Sequence, residues 1–511
     1  MTIPRPVVHP GRCVAVLAAA GIVAALMQTL VVPLIGSLPA LLNTTASNAS
    51  WAVTATLLAG AVTTPVSGRL GDLYGKRPVL LACCVSLVAG SVVCALADSL
   101  IWMVMGRAMQ GMGMGIVALG ISALRDIMPP ERLGSSIALI SSSLGIGGAL
   151  GLPFAAAVAQ SADWRILFWV SAVLSAAVAV LVYLVIPATP VERERTATFD
   201  VPGALGLGAG LICLLLGVSK GADWGWGSAT TLILLIASPV ILLAWGWWEL
   251  RTPSPLVDLR VTARPLVLVT NAASVVVAFS MYAAALLVPQ LLQLPKETGY
   301  GLGQSMLAAG LWMAPSGLMM MLISPLGAKL SAARSPKTTL FVGSLVIALG
   351  YGSSLLLMGS TWGLLIVTCV CNTGVALAYG AMPALIMGGV PQSETASANS
   401  FNTLLRSVGT SVAAAVVGII LAQMTVGTGS QALPSENGFR TGLLLGCLVA
   451  LAAAAITLAI PHRKNSASRP GSAEGSSTPS AAEPVSNTPT EAVASATKPA
   501  GTRTSGTATS E

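Results

Sequence analysis

The residues best suited to reversible charge chemistry lie in one short loop between two long apolar runs. The loop reads Gly68-Arg69-Leu70-Gly71-Asp72-Leu73-Tyr74-Gly75-Lys76-Arg77-Pro78. The Asp72 carboxylate can accept charge-assisted hydrogen bonds from Arg69, from another neighbouring cation or from a helix N-terminus. The glycines permit a tight turn between closely packed helices. The loop therefore predicts a latch that holds one conformation closed and can still break, with an ordinary basic loop as the alternative.

Arg107 is the one charged residue that lies more than two residues from either end of a predicted membrane span. A charged side chain at mid-depth in a bilayer costs about 2.5–3.5 kcal/mol on insertion scales, so such residues are usually functional. Gln110 and Gly111 follow at i+3 and i+4 and share the helix face of Arg107. We predict that this face looks into a helix bundle, where Arg107 and Gln110 act in coupling or contact the substrate. Packing of Arg107 against backbone carbonyls is the alternative.

Further residues within the apolar runs are weaker candidates. Each of them either lines a cavity or forms ordinary hydrogen bonds and packing contacts between neighbouring helices. These cavity candidates are Met27, Gln28, Thr29, Asn271, Tyr282, Asn372 and Tyr379. Glycines at GxxxG spacing permit close helix contact, which predicts a second set of gating and packing residues. That set is Gly111, Gly147, Gly151 and Pro153. Four polar residues near the start of the apolar run 404–424 are interpreted as a solvated helix end rather than a second latch. They are Glu394, Asn399, Asn402 and Arg406.

The composition excludes several classes of protein. The chain has 511 residues, of which 54% are hydrophobic and 9% are charged, and its mean hydropathy is +0.82. Such a chain cannot cover itself with polar surface, since soluble proteins average about 25% charged residues. The only histidines are His9 and His462, the eight cysteines lie in or beside apolar runs, and no GxxxxGK[ST] sequence occurs. We therefore expect no catalytic site, metal or cofactor, no nucleic-acid partner and no ATP hydrolysis by this chain.

The elements that must position these residues are long apolar runs. A membrane helix needs about 20 mostly apolar residues, and the chain contains fourteen such runs. They are 13–35, 50–68, 78–97, 100–122, 133–158, 166–187, 202–219, 229–248, 266–292, 305–327, 338–358, 361–388, 404–424 and 439–460. Lys and Arg concentrate in the loops of one side, which the positive-inside rule places in the cytoplasm together with both termini. After Lys464 the chain is rich in Ser, Thr, Ala, Pro and Gly, and we expect this tail to be disordered.

The loop at residues 68–77 resembles the signature loop of the major facilitator superfamily, G-x-L-x-D-x-x-G-[RK]-[RK]. Residues 106–113 are similar to the R-x-x-Q-G-x-G helix of that superfamily. Residues 145–153 resemble a degraded form of its antiporter motif, G-x-x-x-G-P-x-x-G-G, with Pro153 displaced by one position. With fourteen runs, the chain resembles the fourteen-helix drug:proton antiporters of the EmrB/QacA type.

This resemblance implies an all-α polytopic membrane protein with a major facilitator fold. The fold would consist of two six-helix bundles plus two inserted helices. The expected domains are a cytoplasmic N-terminus at 1–12, an N-terminal bundle at 13–187, a linker with the two inserted helices at 188–265, a C-terminal bundle at 266–460 and a disordered cytoplasmic tail at 461–511. Transport by alternating access with proton antiport is the activity that the resemblance implies.

The first span departs from the family pattern. Drug pumps of this type usually carry L-D-x-T there, whereas this chain reads Leu30-Val31-Val32-Pro33. No predicted span has a carboxylate near its middle, and Asp126 and Glu249, at span ends, come closest. Buried carboxylates usually handle cationic drugs and protons, because charge inside the membrane is kept for function. The interior charge of Arg107 therefore favours neutral, zwitterionic or anionic amphiphiles over dications.

We expect a secondary active transporter of the cell membrane, not an enzyme, that exports amphipathic small molecules or drugs by alternating access. The bilayer, a small-molecule substrate and protons are the expected partners, and the protein is expected to act as a monomer. One alternative is a dedicated exporter of an endogenous metabolite, such as an anion. Another is a non-transporting membrane sensor on a transporter scaffold. The intact signature loop argues against the sensor, because a scaffold that no longer transports has no need for a breakable latch.

Overall fold

Fourteen long helices follow one another in the described part of the chain. A computed structural model describes residues 10–31, 34, 38–188, 198–426 and 433–461. The long helices are α1 Pro10–Thr29, α2 Trp51–Tyr74, α3 Lys76–Ala95, α4 Leu100–Ile127, α5 Pro130–Ser161, α6 Arg165–Val185, α7 Val201–Trp224, α8 Ala229–Glu249, α9 Pro265–Gln293, α10 Met306–Ala333, α11 Pro336–Leu357, α12 Thr361–Gly389, α13 Thr395–Gln423 and α14 Glu436–Leu458. Most of the predicted tail, from residue 462 onward, lies outside the described residues, as do residues 1–9 of the N-terminus.

The connections contain only short elements in the described ranges. The 3₁₀ turn Gly113–Gly115 interrupts α4. Further short helices and 3₁₀ turns lie at Leu38–Leu41, Ala46–Ala49, Leu259–Thr262, Lys296–Thr298 and Gln392–Glu394. Two residues of β1, Thr425–Val426, pair antiparallel with β2, Leu433–Pro434.

Thirteen helices are long and apolar enough to cross a bilayer, counted within the described residues. Each of them overlaps one predicted span. The remaining span, predicted at 50–68, lies within α2, which has 24 residues but carries four threonines together with Arg69 and Asp72. The threonine hydroxyls donate to main-chain carbonyls four residues earlier, so α2 satisfies these polar groups itself. Its lower hydropathy sets α2 apart from the other thirteen.

Side-chain caps fix the start of six of the long helices. Asp200 accepts a hydrogen bond from Gly203 N at the start of α7. Serines make the equivalent bond at the starts of α8, α10, α11, α12 and α14. These bonds satisfy helix amides that have no intrahelical partner. At α13 the N-cap residue Glu394 makes no such side-chain cap bond, so its first amides need an acceptor from another element.

The start of α13 corrects a sequence prediction. The span was expected at 404–424, but the helix already begins at Thr395. Asn399, Asn402 and Arg406 are buried, so the interpretation of this segment as a solvated helix end is wrong. Hydropathy fails here because the first two turns of α13 are polar in sequence, yet they pack against α2 and α4.

The helices pack as two groups. In the first, α1 packs on α5, α2 on α4 and α3 on α6. In the second, α9 packs on α13 and α14, and α12 packs on α10 and α11. The groups meet where α5 lies against α10 and where α2 lies against α13. The remaining helices, α7 and α8, pack on each other, and α7 also contacts α2 and α13. Two bundles with an inserted pair are thus present, while the residue boundaries of the domains stay a prediction.

Candidate functional site

A cavity of about 380 Å³ lies between the two helix groups. Its lining comes from α1, α2, α4 and α5 on one side and from α9, α10, α11, α12 and α13 on the other. Most of the lining side chains are apolar or small. Because both groups build the cavity, a movement of one group against the other would change access to it.

Most of the predicted cavity residues line this space. They are Gln28, Thr29, Tyr282, Asn372 and Tyr379. Gln28 Nε2 donates to Met114 Sδ at 2.9 Å, and Asn372 Nδ2 donates to Ser316 Oγ at 2.9 Å. Polar groups from both halves therefore face the same cavity, and their contact with a substrate stays a prediction.

The other two cavity candidates lie outside the lining. Met27 is fully buried, and its carbonyl accepts a hydrogen bond from Arg107 Nη1 at 2.9 Å. Asn271 Oδ1 accepts a hydrogen bond from Asn402 Nδ2 at 2.8 Å. Both residues join helices within one group. This placement agrees with the alternative that they pack between helices and do not line the cavity.

Arg107 and Gln110 are also placed away from the lining. Arg107 is 1% exposed, and its Nε donates to the Ala52 carbonyl at 2.9 Å. Its Nη1 donates to Gln110 Oε1 at 2.7 Å, and Gln110 Nε2 donates to Ser91 Oγ at 2.8 Å. With the Met27 bond, this network fastens α4 to α1, α2 and α3. The placement favours packing, and a role of Arg107 in coupling or substrate contact stays a prediction.

A different arginine lines the cavity. Arg406 on α13 is 7% exposed, and its Nη2 donates to Thr403 Oγ1 at 3.0 Å. Its guanidinium carbon lies 4.6 Å from the centroid of the Tyr379 ring, within the range of a cation–π contact. No Asp, Glu, Lys or His belongs to the described lining, so Arg406 carries its only formal charge.

The two carboxylates that come closest to the spans do not reach the cavity. Asp126, at the end of α4, pairs with Lys76 Nζ at 2.6 Å and accepts a bond from Gln392 Nε2 at 3.4 Å. Glu249 is buried at the end of α8, beside Asp200 at the start of α7. The described lining therefore offers no carboxylate that could carry a proton or balance a cation.

Asp72 reaches from α2 to the first turn of α13. Its Oδ1 accepts a hydrogen bond from Ala396 N at 3.1 Å, and its Oδ2 accepts one from Ser397 N at 2.7 Å. These are the second and third amides of the helix, the groups that an N-cap side chain normally binds. Asp72 therefore supplies from the opposite half the cap that α13 lacks. Its negative charge also lies at the positive end of the helix dipole.

Further hydrogen bonds join the end of α4 to the start of α13. Arg125 Nη1 on α4 donates to Thr395 Oγ1 at 2.6 Å and to the main-chain carbonyls of 390–391 at 3.4 Å. Ser122 Oγ donates to the Thr395 carbonyl at 3.1 Å and accepts a bond from Asn399 Nδ2 at 3.2 Å. We call this contact the latch: it joins Asp72, Ser122 and Arg125 on one side to residues 390–399 on the other, and its role in a conformational change stays a prediction.

Two glycines of the signature loop have specific structural roles. Gly75 has a φ of +96° in the turn between α2 and α3, a conformation that glycine adopts without steric cost. A Cβ at Gly68 would lie 2.5 Å from Ser400 Cβ and 2.7 Å from the Ala396 carbonyl oxygen. Gly71 lies beside them, against Leu119. Glycine at position 68 therefore permits the close approach of α2 to α13.

The basic residues of the loop act within the first helix group. Lys76 is buried and pairs with Asp126. Arg77 donates to the Tyr183 carbonyl, and its guanidinium carbon lies 5.1 Å from the centroid of the Tyr183 ring. Arg69 is half-buried, and its Nε has no hydrogen-bond partner among the described residues. Of the three kinds of partner open to Asp72, the helix N-terminus is the one that donates hydrogen bonds to it.

The predicted gating and packing residues lie at helix contacts. A Cβ at Gly111 would lie 2.4 Å from a carbonyl oxygen of α2, and one at Gly147 would lie 2.4 Å from a carbonyl oxygen of α1. Gly151 also faces α1, and Pro153 packs beside Gly310 of α10. Close packing at these positions is evident, whereas gating stays a prediction.

The sequence prediction misplaces one residue of this site, Arg406, and misses another, Arg125. Arg406 was expected at a solvated helix end because hydropathy alone starts the span near residue 404. Helical spacing could have found it, since Asn399, Asn402 and Arg406 occur at i, i+3 and i+7 on one face. Arg125 was not singled out because it is one basic residue among many in the predicted loops. Nothing in the sequence around it indicates its partners in 390–395.

Several known proteins are similar in sequence to this chain. An uncharacterized MFS-type transporter of Mycobacterium tuberculosis (strain ATCC 25618 / H37Rv) is 29% identical over 407 residues, which cover 78% of this chain and 58% of that protein. A probable actinorhodin transporter of Streptomyces coelicolor is 26% identical over 405 residues, covering 76% of this chain and 68% of the relative. A multidrug resistance protein B homolog of M. tuberculosis is 29% identical over 315 residues, which cover 60% of this chain and 55% of that protein. The first of these matches thus spans little more than half of the relative's length.

Solved structures share the fold of this chain, and a family model matches its sequence. The human organic anion transporter MFSD10 (TETRAN) superposes with a TM-score of 0.62 at 15% identity, over 88% of this chain and 99% of that chain. The proton:xylose symporter XylE superposes with a TM-score of 0.61 at 14% identity, over 89% of this chain and 96% of that chain. At such identities the likeness concerns the fold alone. The model of the Major Facilitator Superfamily matches residues 17–414. Two helix groups around a central cavity, the signature loop and this match together establish that the chain belongs to the major facilitator superfamily.

Proposed function

We propose that this protein is a secondary active exporter that moves amphipathic small molecules across the cell membrane by alternating access. The observation that carries the proposal is the cavity between the two helix groups, with the latch at one end. Rocking of the groups would open the latch end and close the other end, so that a bound substrate meets each side in turn. A sensor on a transporter scaffold has no use for such a latch.

The strength of the latch suits this cycle. A side-chain N-cap contributes about 0.5–2 kcal/mol to helix stability, and a hydrogen bond to a charged group contributes about 1.5–3 kcal/mol. A few such bonds hold one conformation, and the differential binding of a substrate is large enough to offset them.

We further propose that the chain is a fourteen-helix drug:proton antiporter. The fourteen long helices, the signature loop and the similarity to multidrug resistance proteins of M. tuberculosis support this assignment. Proton coupling rests on the family resemblance alone, because the described lining offers no carboxylate. In this proposal both termini and the latch lie on the cytoplasmic side, and one chain is sufficient because it builds both halves of the cavity.

A dedicated exporter of one endogenous metabolite is the second candidate. The similarity to the probable actinorhodin transporter of S. coelicolor favours it. A dedicated exporter should release one compound with saturable kinetics, and unrelated amphiphiles should not compete. A drug exporter should instead show competition among many amphiphiles.

Efflux from cells that lack their own drug pumps tests the proposal. Cells that produce the protein are loaded with a panel of neutral, anionic and cationic fluorescent amphiphiles, with and without a protonophore. We expect faster efflux of at least one compound than from vector-only cells, and loss of that difference with the protonophore. Efflux equal to the vector control for every compound contradicts export. Efflux that persists without a proton gradient contradicts proton coupling alone.

A further inference from the structure

Among the described residues, no counter-charge faces the positive charge that Arg406 presents to the cavity. Four ion pairs join described residues to one another, and none of them involves Arg406. The residue is 7% exposed, and no carboxylate belongs to the described lining. A buried charge that lacks a partner is costly, and intramembrane charges mark binding or transport functions.

Its immediate neighbours hold the guanidinium without neutralising it. The Tyr379 ring stacks against it at 4.6 Å, and Thr403 Oγ1, one turn away on α13, accepts a bond from Nη2 at 3.0 Å. Nε and Nη1 make no hydrogen bond to the described residues, and neither is a fully buried atom without a partner. These donors are therefore accessible from the cavity.

Arg107 provides the internal comparison. Its Nε donates to the Ala52 carbonyl, and its Nη1 donates to the Met27 carbonyl and to Gln110. The protein itself supplies acceptors for Nε and Nη1 of that guanidinium. For Arg406 the protein supplies an aromatic face and one hydroxyl, which leaves the other donors for an incoming acceptor.

We propose that Arg406 is the anion-binding residue of the cavity and that the substrates are amphipathic organic monoanions. The proposal rests on the proposed function as an exporter. A guanidinium matches the two oxygens of a carboxylate with a pair of N–H donors. One guanidinium balances one negative charge, which selects a monoanion. The apolar remainder of the lining, such as Met114, Leu144 and Met320, suits a hydrocarbon or aromatic body.

Three matched ligands test this proposal on the full-length protein in lipid nanodiscs. They are 2-naphthoate, the neutral 2-naphthamide and the cationic 2-naphthylmethylammonium, which share one aromatic body. Isothermal titration calorimetry gives the dissociation constant of each. We expect wild-type protein to bind naphthoate at least about ten-fold more tightly than the amide, equivalent to about 1.4 kcal/mol. The ammonium ligand should bind most weakly.

Variants assign the preference to Arg406. In Arg406→Gln the preference for naphthoate over the amide should disappear, with the affinity for the amide unchanged, and Arg406→Lys should retain part of it. Arg165→Gln removes a guanidinium from the α6 end of the first group, outside the lining, and should behave as wild type. If Arg406→Gln does not fold, Tyr379→Leu should still weaken naphthoate several-fold through loss of the stacked ring, whereas Tyr379→Phe should not.

The outcomes separate this proposal from the proposed function. Equal binding of naphthoate and amide by wild type, no binding of naphthoate, or an intact preference in Arg406→Gln overturns anion recognition by Arg406. Export of neutral amphiphiles in the efflux assay would then leave the transporter function standing. Arg406-dependent binding of naphthoate without any efflux would support the anion site and contradict export.

Discussion

At the scale of single residues, the two buried arginines differ in what their donors contact. Arg107 binds main-chain carbonyls of α1 and α2, whereas Arg406 faces the cavity against a tyrosine ring. The sequence around each arginine does not reveal this difference, since both residues occur in helices that cross the same hydrophobic layer. The contrast favours packing for the first arginine and, in our proposal, substrate charge for the second.

Arg107→Gln should lower the thermal stability of the full-length protein in detergent and reduce the export of anionic and neutral substrates alike. The variant loses charged hydrogen bonds to Ala52, Met27 and Gln110, each of which contributes about 1.5–3 kcal/mol. Arg107→Lys should rescue only partly, because the ammonium lacks the planar fork that reaches several fixed acceptors. Scanning fluorimetry gives the melting temperature. An unchanged melting temperature with a selective loss of anion export would instead support substrate contact by Arg107.

Asp72→Asn should slow export while the amount of protein in the membrane stays near normal. The two carboxylate oxygens bind Ala396 N and Ser397 N, and an amide offers one acceptor and turns a donor toward the second N–H. A loss of about 1 kcal/mol, typical of a removed cap, shifts a two-state equilibrium about five-fold. Initial export rates per molecule, with membrane protein measured by immunoblot, give the result. Glu131→Gln removes an exposed carboxylate from the start of α5 and serves as the control. Wild-type rates in Asp72→Asn would remove Asp72 from the mechanism.

At the scale of elements, α13 connects the latch to the cavity. Its first turn is capped by Asp72, and Arg406 follows ten residues after Ala396, about 15 Å along the helix axis. A rigid helix that carries both features moves them together. Release of the cap and a change at the cavity wall are therefore mechanically linked through a single element.

Gly68→Ala should separate α2 from α13 at the latch and slow export. The added methyl group would lie 2.5 Å from Ser400 Cβ and 2.7 Å from the Ala396 carbonyl oxygen, so one helix has to shift. Gly134→Ala is the matched control, because a Cβ at that position meets nothing within 4 Å. Initial export rates of both variants give the comparison. A normal rate in Gly68→Ala would show that close approach at this position is not needed for the cycle.

At the scale of the whole molecule, fourteen helices and the charge asymmetry of the loops predict that both termini are cytoplasmic. Reporter fusions after residue 12 and after residue 464 should both give a cytoplasmic signal. The same fusions locate the latch, because the α2–α3 turn lies on the side of the N-terminus if both α1 and α2 cross the membrane. An external signal from either fusion would contradict the fourteen-span topology, and α2, the least apolar of the helices, would be the first to re-examine.

The sequence by itself determined the approximate positions of the spans and the signature loop. Hydropathy and charge report how deep each residue lies in the membrane, because transfer into the bilayer depends on polarity. They located the fourteen helices, and the spacing of the loop residues identified Asp72 as a charge that needs a partner. Hydropathy misplaced the start of α13, whose polar first turns are buried by protein.

Only the tertiary structure decided which side chains share a site. A membrane helix is apolar all round, so its sequence carries little information on which face turns toward a neighbour, a cavity or lipid. That direction depends on the packing of helices that are distant in sequence, as the sequence separation of 324 between Asp72 and Ala396 illustrates. For this reason Arg107 and Met27 were expected at the cavity but lie behind it, whereas Arg406 was expected at a solvated end but lines it.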